Sequence, residues 1–170
     1  MTSQAVPHPA DHPRGGRILV LGLGNDLLRD EAVGIRVVRH LAESRAGDAS
    51  LEILDGGTLG FTLAGAIAGA AGLIVVDAAR LGAPPGTLAV FLGDAMDRKL
   101  SGACSSVHEV GLADLLDIAR LTDSLPERRC LIGIEPAEVD WGSELSPAVQ
   151  KAVPAAVCRI LEVIEDWRPG

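Results

Sequence analysis

Arg17–Leu41, RILVLGLGNDLLRDEAVGIRVVRHL, joins two patterns of different period. Ile18 to Leu21 is an uninterrupted apolar run, and Gly22-Leu23-Gly24-Asn25 is a glycine-rich turn. Beyond a short acidic linker, Val33, Val37, Val38 and Leu41 recur at helical spacing, with Arg36, Arg39 and Glu43 on other faces. The order is strand, tight loop, helix. A strand without polar alternation is buried on both faces, and such strands belong to parallel sheets sandwiched between helices. Asp30-Glu31 falls between the two elements, at the carboxyl end of the strand. Asp30 is an expected N-cap, and Glu31 suits the positive end of the helix dipole. The glycines alone do not make a dinucleotide site. GLGNDL lacks the third glycine of GxGxxG, and the carboxylate pair would crowd a pyrophosphate with negative charge.

The same alternation continues along the chain. Leu51 to Leu54 reads as a second strand ending in the loop Asp55-Gly56-Gly57-Thr58, followed by a helix to about Ala70. Gly72 to Val76 is a third buried strand, ending in Asp77. Gly82 to Gly86 is a turn before an edge strand, Thr87 to Leu92, which could be antiparallel. Asp94 to Val107 reads as irregular and polar; a helix from Glu109 to Leu121 and a strand from Cys130 to Ile134 follow. Ser146 and Pro147 are the cap and first-turn pair of a closing helix, bent at Pro154, with Val149, Val153, Val157, Ile160, Leu161 and Ile164 facing the core. The expected fold is α/β: a single-domain, three-layer, doubly wound and mostly parallel twisted sheet of about five strands with helices on both faces. Residues 17–168 form this domain, and residues 1–16 are expected to be a flexible tail.

Composition limits the partners. With 170 residues and 48% apolar content the chain can bury a sizeable core. A net charge of −8 offers no basic stripe for a phosphate backbone, so neither nucleic acid nor an anionic membrane surface is expected. No stretch has the length and apolarity to span a bilayer, and the N-terminus lacks the apolar centre of a signal peptide. Cys104, Cys130 and Cys158 include no CxxC pair, which points to a reducing compartment and a cytoplasmic location. Cys130 and Cys158 are expected as packing residues, and His40 as a surface residue.

In an open parallel sheet, ligands sit outside the carboxyl ends of the strands where the strand order reverses. The simplest order of the first three strands is two, one, three, which opens that crevice between strands one and three. Glu31 follows strand one, Asp77 ends strand three, and His108 lies in the polar segment before a helix. Two carboxylates and an imidazole suit a divalent transition ion such as nickel or zinc. Each alone has a structural alternative as a cap or a strand end; it is the shared edge that singles them out. Cys104, four residues before His108, is the other candidate nucleophile, although nucleophile and base are seldom neighbours in sequence. There is no GxSxG elbow.

Val20 to Gly34 (VLGLGNDLLRDEAVG), Ile53 to Gly60 (ILDGGTLG), Ile74 to Ala78 (IVVDA), Ser106 to Leu116 (SVHEVGLADLL) and Gly133 to Pro136 (GIEP) occur in that order. Together they resemble the nickel-iron hydrogenase maturation endopeptidases, from Arg17 to about Trp167. The resemblance implies a protease that removes a C-terminal extension from the nickel-loaded hydrogenase large subunit precursor. It implies that Glu31, Asp77 and His108 contact the metal, that Asp55, Gly56, Gly57 and Thr58 form a loop important for the precursor, and that nickel comes with the substrate rather than as a tightly bound resident ion. Many relatives read His-Gln where this chain has His108-Glu109, which adds a negative charge near the site. A nickel-sensing chaperone that inspects the precursor without cutting it, and a nucleotide-binding domain, are the alternatives.

Overall fold

A computed structural model describes residues 16–57, 62–102 and 107–168, with the backbone alone at 62 and 107–110. The expected tail, apart from Gly16, lies outside the described residues, as do Thr58 and Cys104. The strands are β1 (Ile18–Leu23), β2 (Leu51–Gly57), β3 (Gly72–Ala78), β4 (Leu88–Leu92) and β5 (Arg128–Ile134). They form one sheet in the order β2-β1-β3-β5-β4, parallel except for β4, which pairs antiparallel with β5. The helices are α1 (Val33–Ser44), α2 (Thr62–Ala68), α3 (Asp94–Ser101), α4 (Val107–Leu121) and α5 (Pro147–Trp167).

Strand alternation divides the interior into two cores. Val20, Ile74, Val76, Ile132 and Ile134 face α1 and α5, meeting Val37, Val38, Leu41, Val153, Val157 and Ile160. Leu19, Leu21, Leu23, Leu73, Val75 and Leu131 face the opposite way, against Ile67 of α2, Met96 and Leu100 of α3, and Leu112 and Leu116 of α4. Both faces of the central strands are therefore covered, as their unbroken apolar runs require. Removing one such side chain from water contributes about 1.5–3 kcal/mol.

Several local readings change. Residues 94–101 form α3 rather than an irregular segment. Met96 and Leu100, one turn apart, are buried, and the polar residues around them belong to its outer face. Asp97 on that face accepts from Arg129 Nε at 2.9 Å and Nη2 at 2.6 Å, tying α3 to the start of β5. β2 continues through Asp55, Gly56 and Gly57 instead of stopping at Leu54. A 3-10 turn, Arg29–Ala32, precedes α1, so neither Asp30 nor Glu31 begins that helix. α5 is helical on both sides of Pro154. Cys130 is buried as expected, whereas Cys158 is exposed on the outer side of α5. No helix among the described residues is long and apolar enough to cross a membrane.

Candidate active site at the carboxyl edge of the sheet

The connection from β1 leads to β2 on one side, and the chain beyond β3 leads to β4 and β5 on the other, so the strand order reverses between β1 and β3. α1 enters directly over this point. A Cβ on Gly34 would fall on the carbonyl oxygens of Val76 and Leu23 and lie 2.9 Å from the Leu23 nitrogen, so only glycine lets the helix start against both strand ends. Gly24, at φ +146°, is closed in the same way by the carbonyl oxygen of Glu31. The glycines thus close the turn onto α1 rather than leaving a cradle for phosphate.

This close crossing sets the 3-10 turn that carries Glu31 against β3, in which Asp77 follows Val76. Asp77 is 1% exposed, stands opposite Gly133 of β5, and shares the strand face of Leu73 and Val75, which is the α4 side. α4 must run down that side, because β5 begins at the amino edge a short turn after Leu121. Its first turn, containing His108, is therefore at the carboxyl edge; the imidazole is outside the described side chains. Among the described residues no three His, Cys, Asp or Glu side chains form a group that could hold a metal ion.

Asp30, beside Glu31, has a different role from the cap expected of it. It is fully buried, and its carboxylate accepts the N–H groups of Ala137 and Glu138, both at 2.9 Å, and of Ser146 at 2.6 Å, with the Ser146 hydroxyl at 2.8 Å. Burial alone would raise its pKa, but the bonds from Glu138, Ser146 and Ala137 together outweigh that and hold it below the usual carboxylate value. Ser146 accordingly stands at the N-cap of α5 with its hydroxyl turned to Asp30, not to the helix. Arg29, at φ +37°, donates its N–H to Gly142 at 2.8 Å and pairs with Glu138, so a strained residue is fixed from both ends.

Asp55 is held in turn. Arg39 Nη2 lies 2.7 Å from both Asp55 and Asp26, linking the ends of β2 and β1, and Asp55 accepts the Gly57 N–H at 3.1 Å. Gly24 donates to the Gly57 carbonyl at 3.2 Å. Gly56 and Gly57 are thus part of a braced strand end. Glu135, also buried, accepts the N–H groups of Leu81 at 2.5 Å and Ala83 at 3.3 Å and orders the segment after β3. Sequence reading assigned neither buried acid to loop bracing; the signal for Asp30 was its place inside the polar linker rather than at a periodic helix start.

A family model described as hydrogenase maturation protease matches residues 35–163. The chain belongs to the hydrogenase maturation proteases. The hydrogenase expression/formation protein HupD of Rhodobacter capsulatus is 38% identical over 160 residues, covering 94% of this chain and 75% of its own length. Among solved structures, the hydrogenase maturating endopeptidase HybD of Escherichia coli superposes with a TM-score of 0.81 at 37% identity, covering 88% of this chain and 93% of that one. The hydrogenase maturation protease HybD of Thermococcus kodakarensis gives 0.75 at 32%, over 86% and 98%. The family is one of peptidases, so the chain is a hydrolase. As a maturation protease it places neither described thiol at the carboxyl edge. Cys130 is inside β5 with its pKa pushed up to about 12 by burial, and Cys158 is on the outer side of α5.

Proposed function

We propose that this protease removes the C-terminal extension of the nickel-loaded hydrogenase large subunit precursor and recognises the substrate's nickel through Glu31, Asp77 and His108. The observation that carries the reading is the delivery of Glu31, Asp77 and the first turn of α4 to one strand-order reversal. Two hard carboxylates and one borderline imidazole make a modest site for a nickel ion already held by other donors. They need not compete for free metal; they need only add contacts to an ion presented by the substrate. Cleavage then depends on metal loading, because an empty precursor lacks the group that the three residues bind.

Asp55, Gly56 and Gly57 border the same edge, and with Thr58, which follows them in sequence, are proposed to hold the precursor's chain, with Arg39 keeping the Asp55 carboxylate in place. For attack on the amide, a water activated by a carboxylate fits better than a side-chain nucleophile, with backbone N–H groups or the substrate's metal stabilising charge on the carbonyl oxygen. Glu31 is partly accessible and can accept that water's proton, while Asp77 is enclosed and suited to holding a ligand in one orientation.

The test is incubation of a purified precursor, with and without nickel, with the native chain and with His108→Ala, read by intact mass. Nickel-dependent loss of a C-terminal peptide by the native chain alone is expected. Nickel-dependent binding with no cleavage would replace this reading with that of a chaperone.

A further inference from the structure

Among the described residues, the large apolar side chains left in solvent at the carboxyl edge are Leu27, Val139 and Trp141, which are 60%, 44% and 76% exposed. The chain contains two tryptophans, two phenylalanines and no tyrosine, so an aromatic side chain held in water stands out against its composition. The backbone under it is fixed. Gly142 donates to the Leu27 carbonyl at 3.0 Å, Arg29 donates to Gly142 at 2.8 Å, and Asp30 donates to Glu138 at 3.2 Å. The Asp30 carboxylate holds Ala137 and Glu138 from below. A tryptophan on a braced loop loses little freedom on contact, and tryptophan is enriched among the residues that dominate protein association.

Position identifies the occupant. Leu27 belongs to the loop after β1, and Val139 and Trp141 to the loop after β5; these loops join across the end of β3, the strand between them that carries Asp77. A polypeptide brought to Glu31 and Asp77 must pass beside this apolar surface. We propose that Leu27, Val139 and Trp141 form a docking ledge for the precursor, receiving an apolar side chain of the segment next to the cleaved bond. The inference rests on the peptidase reading and adds to it a specificity surface separate from the metal contacts.

The test uses the full chain labelled with 5-fluorotryptophan and an unlabelled nickel-loaded precursor. Trp141→Phe assigns the two ¹⁹F resonances. The Trp141 resonance is expected to shift on precursor addition while that of Trp167 stays. Trp141→Ala and Leu27→Ser are expected to raise KM about tenfold with kcat within about twofold. Leu121→Ser, at a side chain 88% exposed at the opposite end of α4, should leave KM unchanged. Native cleavage with an unmoved Trp141 resonance and unchanged KM in both variants would overturn the ledge and leave the protease reading intact. A shifted Trp141 resonance without cleavage by the native chain would overturn the proposed reaction and support the ledge.

Discussion

The Asp30 carboxylate accepts both the main-chain N–H and the hydroxyl of Ser146, which lies 116 residues further along the chain. One side chain therefore ties the turn that carries Glu31 to the start of α5. Asp30→Asn keeps the shape but turns an amide N–H toward donors that need an acceptor. A loss of about 2–4 kcal/mol is expected at neutral pH. Because the native pKa is lowered, the stabilisation is fully present above the ordinary carboxylate range and fades as pH falls toward the lowered native value. Urea unfolding at pH 7 and pH 3 checks both points: the gap between native and variant should narrow at pH 3. A gap of equal size would show that the charge on Asp30 is not what stabilises.

Gly34 and Gly65 give a contrasting pair. An added Cβ on Gly34 meets the Val76 and Leu23 carbonyl oxygens, which are backbone and cannot turn aside; one on Gly65, in α2, meets nothing within 4 Å. Gly34→Ala should cost about 3 kcal/mol and lower Tm by roughly 6–12 °C. Gly65→Ala should add about 0.5–1 kcal/mol through helix propensity. Thermal melts of the two variants should move in opposite directions, and a neutral Gly34→Ala would mean that α1 does not start against the strand ends.

Arg39 is about half exposed, and the two carboxylates that it joins are each more than a third exposed. Arg39→Gln should change stability by less than about 1 kcal/mol, since exposed pairs are screened. It also removes the cation that Asp26 and Asp55 share, leaving Asp26 the longer Arg36 contact at 3.8 Å, so the end of β2 loses its brace. The expected result is a several-fold rise in KM for the precursor with a Tm shift of no more than about 2–4 °C. An unchanged KM, in a chain where Asp55→Ala abolishes cleavage, would show that Asp55 acts without Arg39.

The order of the first three strands and the edge carrying Glu31 and Asp77 were legible because unbroken apolar runs, glycine turns and right-handed crossovers leave few arrangements. Asp94 to Ser101 was less legible, since a two-turn helix offers only Met96 and Leu100 to mark its buried side. Asp30 was misassigned for a related reason: it has the residue type and position of a helix cap but accepts from Ala137, Glu138 and Ser146 instead, while Ser146 stands at the expected N-cap of α5 and turns its hydroxyl to Asp30. Such a contact depends on two loops meeting after the sheet has formed, and local sequence carries no record of it. Cys158 read as core because α5 is apolar on a wide arc; its own position falls just outside that arc.

The two described thiols should differ sharply in reactivity. Cys130 is sealed inside β5, where burial pushes its pKa up to about 12 and keeps it protonated at neutral pH. Cys158 is exposed beside Val90 and Leu92 of β4, away from the carboxyl edge. In a Cys104→Ser background, a disulfide reagent at pH 8 should label one thiol per native chain quickly and a second only as the chain unfolds. Rapid labelling of both would contradict the packing of β5. Blocking Cys158 should leave precursor cleavage unchanged, and the Cys104→Ser chain itself should still cleave. Lost cleavage in Cys104→Ser with the precursor still bound would place a thiol in the chemistry and rule out attack by an activated water.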